Sequence, residues 1–341
     1  MKKIICLYAY SEEKDRMSKP RLALTLGDLS GIGPELAMKL CAKEENRQKA
    51  DIFLLASAQE VDFFAKEAGV KFPCSEKPEA GSVTLVGSEL QNVKVERKVC
   101  SLAGGQRVKV DLLKALAMYK DHEVDSILFM PLNKSALHMA GMHEEDELRW
   151  FAVELGYEGF TSELNFIPGL TTSRVTSHCG IKDVAPRISA RAVRDAITLL
   201  DRVISGTGVE VPRIAVCALN PHNGENGQFG REEIDHIAPG VELARNDGVK
   251  VDGPFPADTT FLRAMRGDYD GVVTMYHDQG QIALKTIGFD QGVTVQGGLP
   301  VPIVTPAHGT AYGTVGKNIA STGPAQRAFD IAVDLGISYK N

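Results

Sequence analysis

The sequence predicts an α/β protein built on mainly parallel sheets. Apolar, strand-like runs alternate along the chain with amphipathic helical stretches, and the runs "RIAVCAL" and "GVVTM" are apolar without a break. Unbroken apolar runs are typical of strands that helices cover on both faces of a sheet. A regular alternation of strands with helices indicates parallel α/β architecture.

The elements of the N-terminal half follow from local signals. "RLALTLGD" is predicted as the first strand, and Gly33-Pro34-Glu35 opens a helix with proline in its first turn, where the missing N–H costs nothing. "DIFLLA" is the next strand, and Ser57 is the expected N-cap of the helix after it. "VDLLKALAMYKDH" predicts a helix that leads into the strand "DSILFM".

Two further helices are predicted in the middle of the chain. "GMHEEDELRWFAVELG" places apolar residues at i, i+3, i+4 and i+7, and acidic residues precede them at the end of the helix where its dipole is positive. We expect Glu144, Glu145 and Asp146 to be solvated or to cap this helix. "APRISARAVRDAITLLDRVI" likewise carries an apolar face.

The length of 341 residues predicts two domains. We place the first at 1–134 plus 304–341 and the second at 135–303, with 1–19 as a loosely ordered extension and Met17 as an alternative start to Met1. Six scattered cysteines without a C-x-x-C pair favour free thiols in a reducing cytoplasm.

Charge and hydropathy argue against two classes of partner. The net charge is −6 and basic runs are short, so nucleic acid is not the expected ligand. No apolar run reaches the ~18 residues of a membrane span. A small anionic ligand is not excluded, because it needs only local positive charge.

Functional side chains of α/β folds gather past the carboxyl ends of strands. Four loops there have unusual compositions: "GDLSGIGPE", "MPLNKSA", "NPHNGENGQFGREE" and "YHDQGQIALK". The first is neither a dinucleotide fingerprint nor a phosphate-binding P-loop, because the required third glycine and Gly-Lys-Ser/Thr are missing. It predicts a tight strand-to-helix turn.

Three histidines, His178, His222 and His277, lie in loops of this kind. Three imidazoles that leave open positions make a catalytic divalent-metal site, most often for Zn²⁺. Their non-local spacing gives no support, and solvated surface histidines are the alternative. Asp258 and Asp278 are candidates to orient a histidine or to act as general base.

Lys134 and Lys285 lie near the same loops and are candidates to bind an anionic substrate. Surface salt bridges are the alternative explanation for both lysines and for the two aspartates.

Taken together, the loops resemble one family. "PRLALTLGDLSGIGPELAMK", "RIAVCALNPHNGENGQFGREEID", "GPFPADTTF", "YDGVVTMYHDQGQIALKTIGF" and "HGTAYGTVGK" are similar to the 4-hydroxythreonine-4-phosphate dehydrogenase family of pyridoxal phosphate biosynthesis, in the same order. The resemblance implies a two-domain α/β/α fold similar to isocitrate and isopropylmalate dehydrogenases. It also implies a homodimer with its active site in the interdomain cleft, near the dimer interface.

The same resemblance implies oxidation of a secondary alcohol by NAD or NADP, with decarboxylation and with one divalent metal held by His178, His222 and His277. Lys285 matches a substrate lysine, and Asp258 or Asp278 would be the base. Asn220, Gly224 and Glu225 would lie near the cofactor.

The substrate-reading positions depart from the family pattern. Where the family has Gly-His-Thr, this chain has Asp146-Glu147-Leu148; Thr294 replaces an asparagine and Ile303 an arginine. Loss of a bidentate arginine and gain of carboxylates are unfavourable for a phosphate dianion. We therefore expect a dehydrogenase whose hydroxy-acid substrate differs from the phosphorylated parent. The alternatives are a genuine 4-hydroxythreonine-4-phosphate dehydrogenase and a nicotinamide-independent three-histidine hydrolase or lyase.

Overall fold

The structure, a computed structural model, describes residues 19–288 and 291–340. They form two compact units, and the described residues of these are 19–141 with 309–340 for the first and 142–288 with 291–308 for the second. The predicted domain limits stay predictions. The predicted N-terminal extension and the choice of start concern residues 1–18, which lie outside the described part.

The strands are β1 Arg21–Thr25, β2 Asp51–Leu55, β3 Cys74–Ser75, β4 Val83–Leu85, β5 Ser126–Phe129, β6 Ser162–Ile167, β7 Leu170–Arg174, β8 Ile214–Cys217, β9 Val251–Phe255, β10 Gly271–Thr274, β11 Val293–Gly297 and β12 Ile303–Pro306. The α-helices are α1 Gly33–Ala42, α2 Glu44–Lys49, α3 Ala58–Glu67, α4 Leu102–Lys120, α5 Lys134–Met139, α6 Glu147–Leu155, α7 Val184–Arg187, α8 Ala190–Gly206, α9 Ala238–Asn246, α10 Ala257–Met265, α11 His277–Gly288 and α12 Gly323–Lys340.

The first unit carries strands in the order β3-β4-β2-β1-β5, paired in parallel throughout. This confirms the α/β prediction. Ser57 caps α3 through a capping box with Glu60, as the sequence indicates. The helix α4 begins at Leu102, well before the predicted stretch, because Ser101 caps it by accepting a hydrogen bond from Gly104 N.

The Gly-rich loop after β1 is a tight turn with a buried carboxylate at its centre. Gly27 has φ +65°, and a Cβ there would lie 2.5 Å from Met130 O, so only glycine fits. Asp28 Oδ1 accepts hydrogen bonds from Ser30 N at 2.9 Å and from Ser30 Oγ at 2.7 Å. Its other oxygen accepts one from the Tyr312 hydroxyl at 2.8 Å. The loop is thereby fastened to the C-terminal part of the same unit.

A buried arginine ties α3 and α4 together. The guanidinium of Arg107 is fully buried and pairs with Glu60 and Asp111. Ser88 Oγ donates a further hydrogen bond to Asp111. Desolvation raises the pKa of Asp111 to about 6 in spite of this pairing.

The C-terminal helix α12 completes the first unit. Gln326 Nε2 donates to Asn46 Oδ1 at 2.8 Å, and Lys49 pairs with Asp330 at 2.6 Å. A Cβ at Gly336 would lie 3.0 Å from Ser126 Oγ, so the helix packs tightly over β5. The two ends of the described chain are therefore joined in one core.

The second unit has a mixed sheet in the order β12-β11-β6-β7-β10-β8-β9. β7, β10, β8 and β9 pair in parallel, whereas β6 is antiparallel to both β7 and β11. Apolar side chains of β8, β10, α10 and α11 share one core. No helix among residues 19–288 and 291–340 is long and apolar enough to cross a membrane.

Candidate active site

Two adjacent parallel strands of the second unit bring two histidines together. Arg174 at the end of β7 pairs in register with Thr274 at the end of β10. The pairing continues for one more step, since Thr176 N donates to Met275 O at 3.1 Å. His178 and His277 follow these ends, and their ring centres lie 5.6 Å apart. The carboxyl edge of the sheet therefore assembles this pair, as expected for the fold class.

Each imidazole of the pair contacts a carboxylate through Nδ1. His178 Nδ1 lies 2.8 Å from Asp146 Oδ2, and His277 Nδ1 lies 2.7 Å from Asp278 Oδ1. An ionised carboxylate only accepts hydrogen bonds, so each Nδ1 donates, and in the neutral imidazole the lone pair is then on Nε2. Both histidines line a cavity of about 400 Å³ together with Ser177.

Asp146 contacts the candidate site in addition to its expected place at the start of α6. We expected it to be solvated or capping; it does cap α6 through Arg149 N at 2.8 Å, but it is only 5% exposed. Its second oxygen meets His178. The sequence places an Asp at the expected N-cap of this helix. That the same carboxylate also reaches His178 depends on the fold and could not be read from the sequence.

Asp258 and Asp278 line a neighbouring cavity of about 410 Å³ with apolar walls that include Phe261, Leu262 and Ile282. Asp278 also lines the cavity of the two histidines. The two candidate bases therefore share one space, and that space adjoins the histidine pair.

Gln279 fastens the start of α11 to two strand ends. Its Oε1 accepts a hydrogen bond from Met275 N at 2.7 Å, and its Nε2 donates to Ala218 O at 2.8 Å. Gly280 lets the helix approach Thr274, whose Oγ1 would lie 3.2 Å from an added Cβ. The motif His-Asp-Gln-Gly thus holds His277 beside β8 and β10.

His222 lies in a loop of unusual backbone. Residues 222–226 all have φ between +43° and +76°, and four of the five are not glycine. Such a run is strained and is found mainly at functional sites. Glu233, 3% exposed, anchors the loop by accepting hydrogen bonds from Leu219 N at 2.8 Å and Asn220 N at 2.7 Å. The candidate cofactor residues Asn220, Gly224 and Glu225 belong to this loop.

The other predicted site residues are scattered over the two units. Lys285 is exposed on α11, and Thr294 is half-buried on β11 opposite Asn165. Leu148 is 3% exposed and Ile303 is 0% exposed. Side chains this deeply buried would affect the shape of a ligand site only through the residues that pack against them. Glu147 is buried at the start of α6, and Lys134 begins α5 in the first unit. Their roles as substrate contacts stay predictions.

The histidine pair fits a divalent cation in part. Zn–N bonds of about 2.1 Å put two ligand nitrogens at most ~4 Å apart, which the 5.6 Å between ring centres allows when both Nε2 atoms point inward. The carboxylates on Nδ1 are the usual second partners of metal-binding histidines. Within 19–288 and 291–340, however, no three His, Cys, Asp or Glu side chains are gathered as a metal site, and His222 is not with the pair.

Comparison with known proteins adds to this geometry. Residues 42–332 match the family model described as "Pyridoxal phosphate biosynthetic protein PdxA". The chain is 48% identical to a "Putative 4-hydroxythreonine-4-phosphate dehydrogenase 2" of Pseudomonas aeruginosa, over 94% of this chain and 98% of the relative. It is 35% identical to a D-threonate 4-phosphate dehydrogenase of Cupriavidus necator, over 88% and 92% of the two chains.

Solved structures agree on the fold. A 4-hydroxythreonine-4-phosphate dehydrogenase of Burkholderia phymatum is 32% identical with a TM-score of 0.77, covering 93% of this chain and 98% of its own. A β-decarboxylating dehydrogenase of Thermococcus kodakarensis is 14% identical with a TM-score of 0.50, covering 91% and 81%. The second likeness concerns the fold alone, and it confirms the fold class predicted from the sequence.

Proposed function

The chain belongs to the PdxA family, and from this premise we propose that it oxidises a hydroxy acid with NAD or NADP and a divalent metal, with loss of carbon dioxide. As a member, it is a dehydrogenase that acts on a CH–OH group. One observation supports the proposed metal and base chemistry. His178 and His277 form a pair, each oriented by a carboxylate, beside a cavity lined by Asp258 and Asp278.

Each residue of the candidate site has a separate proposed role. His178 and His277 would hold the cation through Nε2, with His222 as the proposed third ligand. When bound, the cation would supply Lewis acidity that lowers the pKa of a substrate hydroxyl group. Asp278 already binds His277, which favours Asp258 as the group that takes the hydroxyl proton.

Two other groups complete the proposal. Lys285 would pair with a carboxylate of the substrate. The loop with Asn220, Gly224 and Glu225 would place the nicotinamide that accepts the hydride. The oxidised product, a 3-oxo acid, then releases carbon dioxide.

We propose that the substrate differs from 4-hydroxythreonine 4-phosphate. Glu147, Leu148, Thr294 and Ile303 stand where the family pattern has residues suited to a phosphorylated substrate. The name of the Cupriavidus relative supports a range of hydroxy acids within the family.

The test compares kcat/KM for 4-hydroxythreonine 4-phosphate, D-threonate 4-phosphate and unphosphorylated hydroxy acids. The rate of each reaction is measured by the formation of NADH or NADPH. We expect an unphosphorylated hydroxy acid to exceed 4-hydroxythreonine 4-phosphate by at least ~100-fold, about 2.7 kcal/mol of transition-state stabilisation. Efficient turnover of 4-hydroxythreonine 4-phosphate would reject the shift. It would favour the second candidate, the parent reaction in pyridoxine biosynthesis, which the name of the Pseudomonas relative supports.

The hydrolase or lyase alternative is not favoured, because the relatives reported above are named dehydrogenases. Thermal shift with NAD and NADP, with and without a chelator, tests it directly. We further propose a cytoplasmic homodimer, for which light scattering of the purified protein gives the mass. A monomer at working concentrations would contradict the second part.

A further inference from the structure

The start of α6 brings a buried carboxylate to His178. Asp146 is 5% exposed, so both of its oxygens need partners. Oδ1 accepts a hydrogen bond from Arg149 N at 2.8 Å, which caps the helix, and Oδ2 lies 2.8 Å from His178 Nδ1. One side chain therefore fixes both the first turn of α6 and the plane of the imidazole.

The contact also decides the state of the other ring nitrogen. Because the carboxylate accepts, the proton of neutral His178 stays on Nδ1 and the lone pair stays on Nε2. The side chain of His178 is 36% exposed, which leaves it free to exchange tautomers and to rotate if Asp146 is removed. His277 takes its carboxylate from the adjacent residue Asp278, whereas His178 depends on a residue 32 positions away.

We propose that Asp146 is a positioning residue, which holds His178 in the tautomer and orientation that present Nε2 to the cation. The identity of the ligand rests on the proposed function; the hydrogen bond and the tautomer do not.

The capping role and the positioning role are separable by substitution. Serine and asparagine cap helices about as well as aspartate does. Serine, however, is one bond shorter and does not reach His178 while it caps. Asp146→Ser therefore keeps the helix and removes the contact. When the asparagine oxygen of Asp146→Asn caps Arg149 N, its NH₂ group faces His178 Nδ1, which must then accept the hydrogen bond. This variant therefore keeps the size of the side chain and moves the proton of neutral His178 to Nε2.

The first measurement uses metal-free full-length protein with ¹⁵N-labelled histidine. Long-range ¹H–¹⁵N spectra report which ring nitrogen carries the proton, and His178→Gln identifies the signal. We expect the Nδ1-protonated form in the wild type and its loss in Asp146→Ser. If Asp146→Ser does not fold, Asp146→Asn serves in its place. The same tautomer in the wild type and the variant would overturn the proposal.

The second measurement is Zn²⁺ affinity by competition with a chelator. Removal of an outer-shell partner weakens metal binding by about 10- to 100-fold, and we expect this for both Asp146→Ser and Asp146→Ala. Ser189→Ala is the matched control for Asp146→Ala, since Ser189 caps α8 in the same unit through Ala192 N and does not contact a histidine. The control should bind Zn²⁺ as the wild type does. An affinity within about twofold of the wild type in Asp146→Ser would also overturn the proposal.

The same two measurements distinguish failure of the proposed metal site from failure of the positioning role of Asp146. If wild type and His178→Gln bind Zn²⁺ equally, the metal assignment is wrong, and the tautomer spectra still decide the role of Asp146. If His178→Gln loses Zn²⁺ while Asp146→Ser keeps both its affinity and the wild-type tautomer, the metal assignment stands and the positioning role is refuted.

Discussion

Replacing Glu233 by glutamine should release the loop that carries His222. The buried carboxylate of Glu233 accepts hydrogen bonds from Leu219 N, Asn220 N and Asn220 Nδ2, at 2.8, 2.7 and 2.9 Å. Its backbone partners lie at the start of a loop in which six successive residues, 222–227, have positive φ. Strain of that kind persists only where surrounding contacts enforce it.

The size of the effect follows from these three contacts. A glutamine oxygen can retain the two backbone donors, but its NH₂ group then faces the NH₂ of Asn220. One charge-assisted hydrogen bond is lost, at ~1.5–3 kcal/mol, and two others fall to the strength of neutral ones. We expect a loss of about 3 kcal/mol in the local free energy of opening, which corresponds to roughly 100-fold faster amide exchange.

Native-state hydrogen exchange at Leu219 and Asn220 is the suitable assay, because it reports opening of this loop even if unfolding of the two units is not two-state. Glu232→Gln is the matched control, since Glu232 makes one contact to Asn220 Nδ2 and leaves the backbone donors alone. Exchange in Glu233→Gln within a factor of three of the wild type would refute the reasoning that Glu233 enforces the strained loop.

Three other substitutions test separate parts of the chain. Asp111→Asn removes a carboxyl group whose pKa is raised to about 6 from an ordinary 3.8. In the wild type this raised pKa contributes stability that is present below pH ~4 and lost as the pH rises through ~6. The free energy of unfolding of the variant, relative to the wild type, should therefore increase by on the order of 2–3 kcal/mol between pH 4 and pH 7. A difference that does not depend on pH would contradict this. Leu148→Ala should lower the free energy of unfolding by ~3 kcal/mol in urea titrations through a cavity in the core, while Val153→Ala, at a position 65% exposed, should change it by less than ~0.5 kcal/mol; equal effects would show that Leu148 is not a core residue. His222→Ala should abolish both metal content and turnover if His222 is the third ligand, with His236→Ala as the surface control, and unchanged activity would refute the assignment.

The parallel part of the fold was predictable because its signals are local. β1, β5, β8 and β10 are apolar at their interior positions and buried almost throughout, and the Gly33-Pro34 start of α1 and the Ser57 cap of α3 appear where expected. The start of α4 was not predicted, because Gly104 and Gly105 disfavour helix in isolation. Gly105 is nevertheless required there, since a Cβ would lie 1.9 Å from Ala136 O.

The antiparallel strands of the second unit escaped prediction for another reason. "SELNFI" and "LTTSR" contain many polar residues, yet most positions of β6 and all of β7 are buried. Their polar side chains are satisfied inside the unit, for example Ser162 Oγ, which donates to Arg174 O at 3.0 Å. Burial of this kind depends on partners far along the chain, which composition and periodicity do not reveal.

The candidate site was predictable by residue type and less so by arrangement. Strand-end histidines and neighbouring aspartates were identified, and the pair His178 and His277 meets as the sheet geometry requires. The position of the His222 loop could not be derived from the sequence, because Leu219 N and Asn220 N at its start donate hydrogen bonds to Glu233, a residue that looks like an ordinary helix-start acid in the sequence. The role of His222 as a ligand stays a prediction. The burial of Asp146 could not be predicted either, because it depends on how the folded chain packs around this residue.

The closure of the first unit by α12 has a consequence for synthesis on the ribosome. The strands β1 to β5 emerge first, but Asn46, Lys49 and Ser126 receive their partners only when residues 323–340 have been made. The contiguous second unit, 142–308, is translated in between and has all of its strands by residue 306. The first unit is therefore begun before the second unit and completed after it. Until residues 323–340 are made, the surface that α12 covers stays exposed, which favours aggregation of the growing chain.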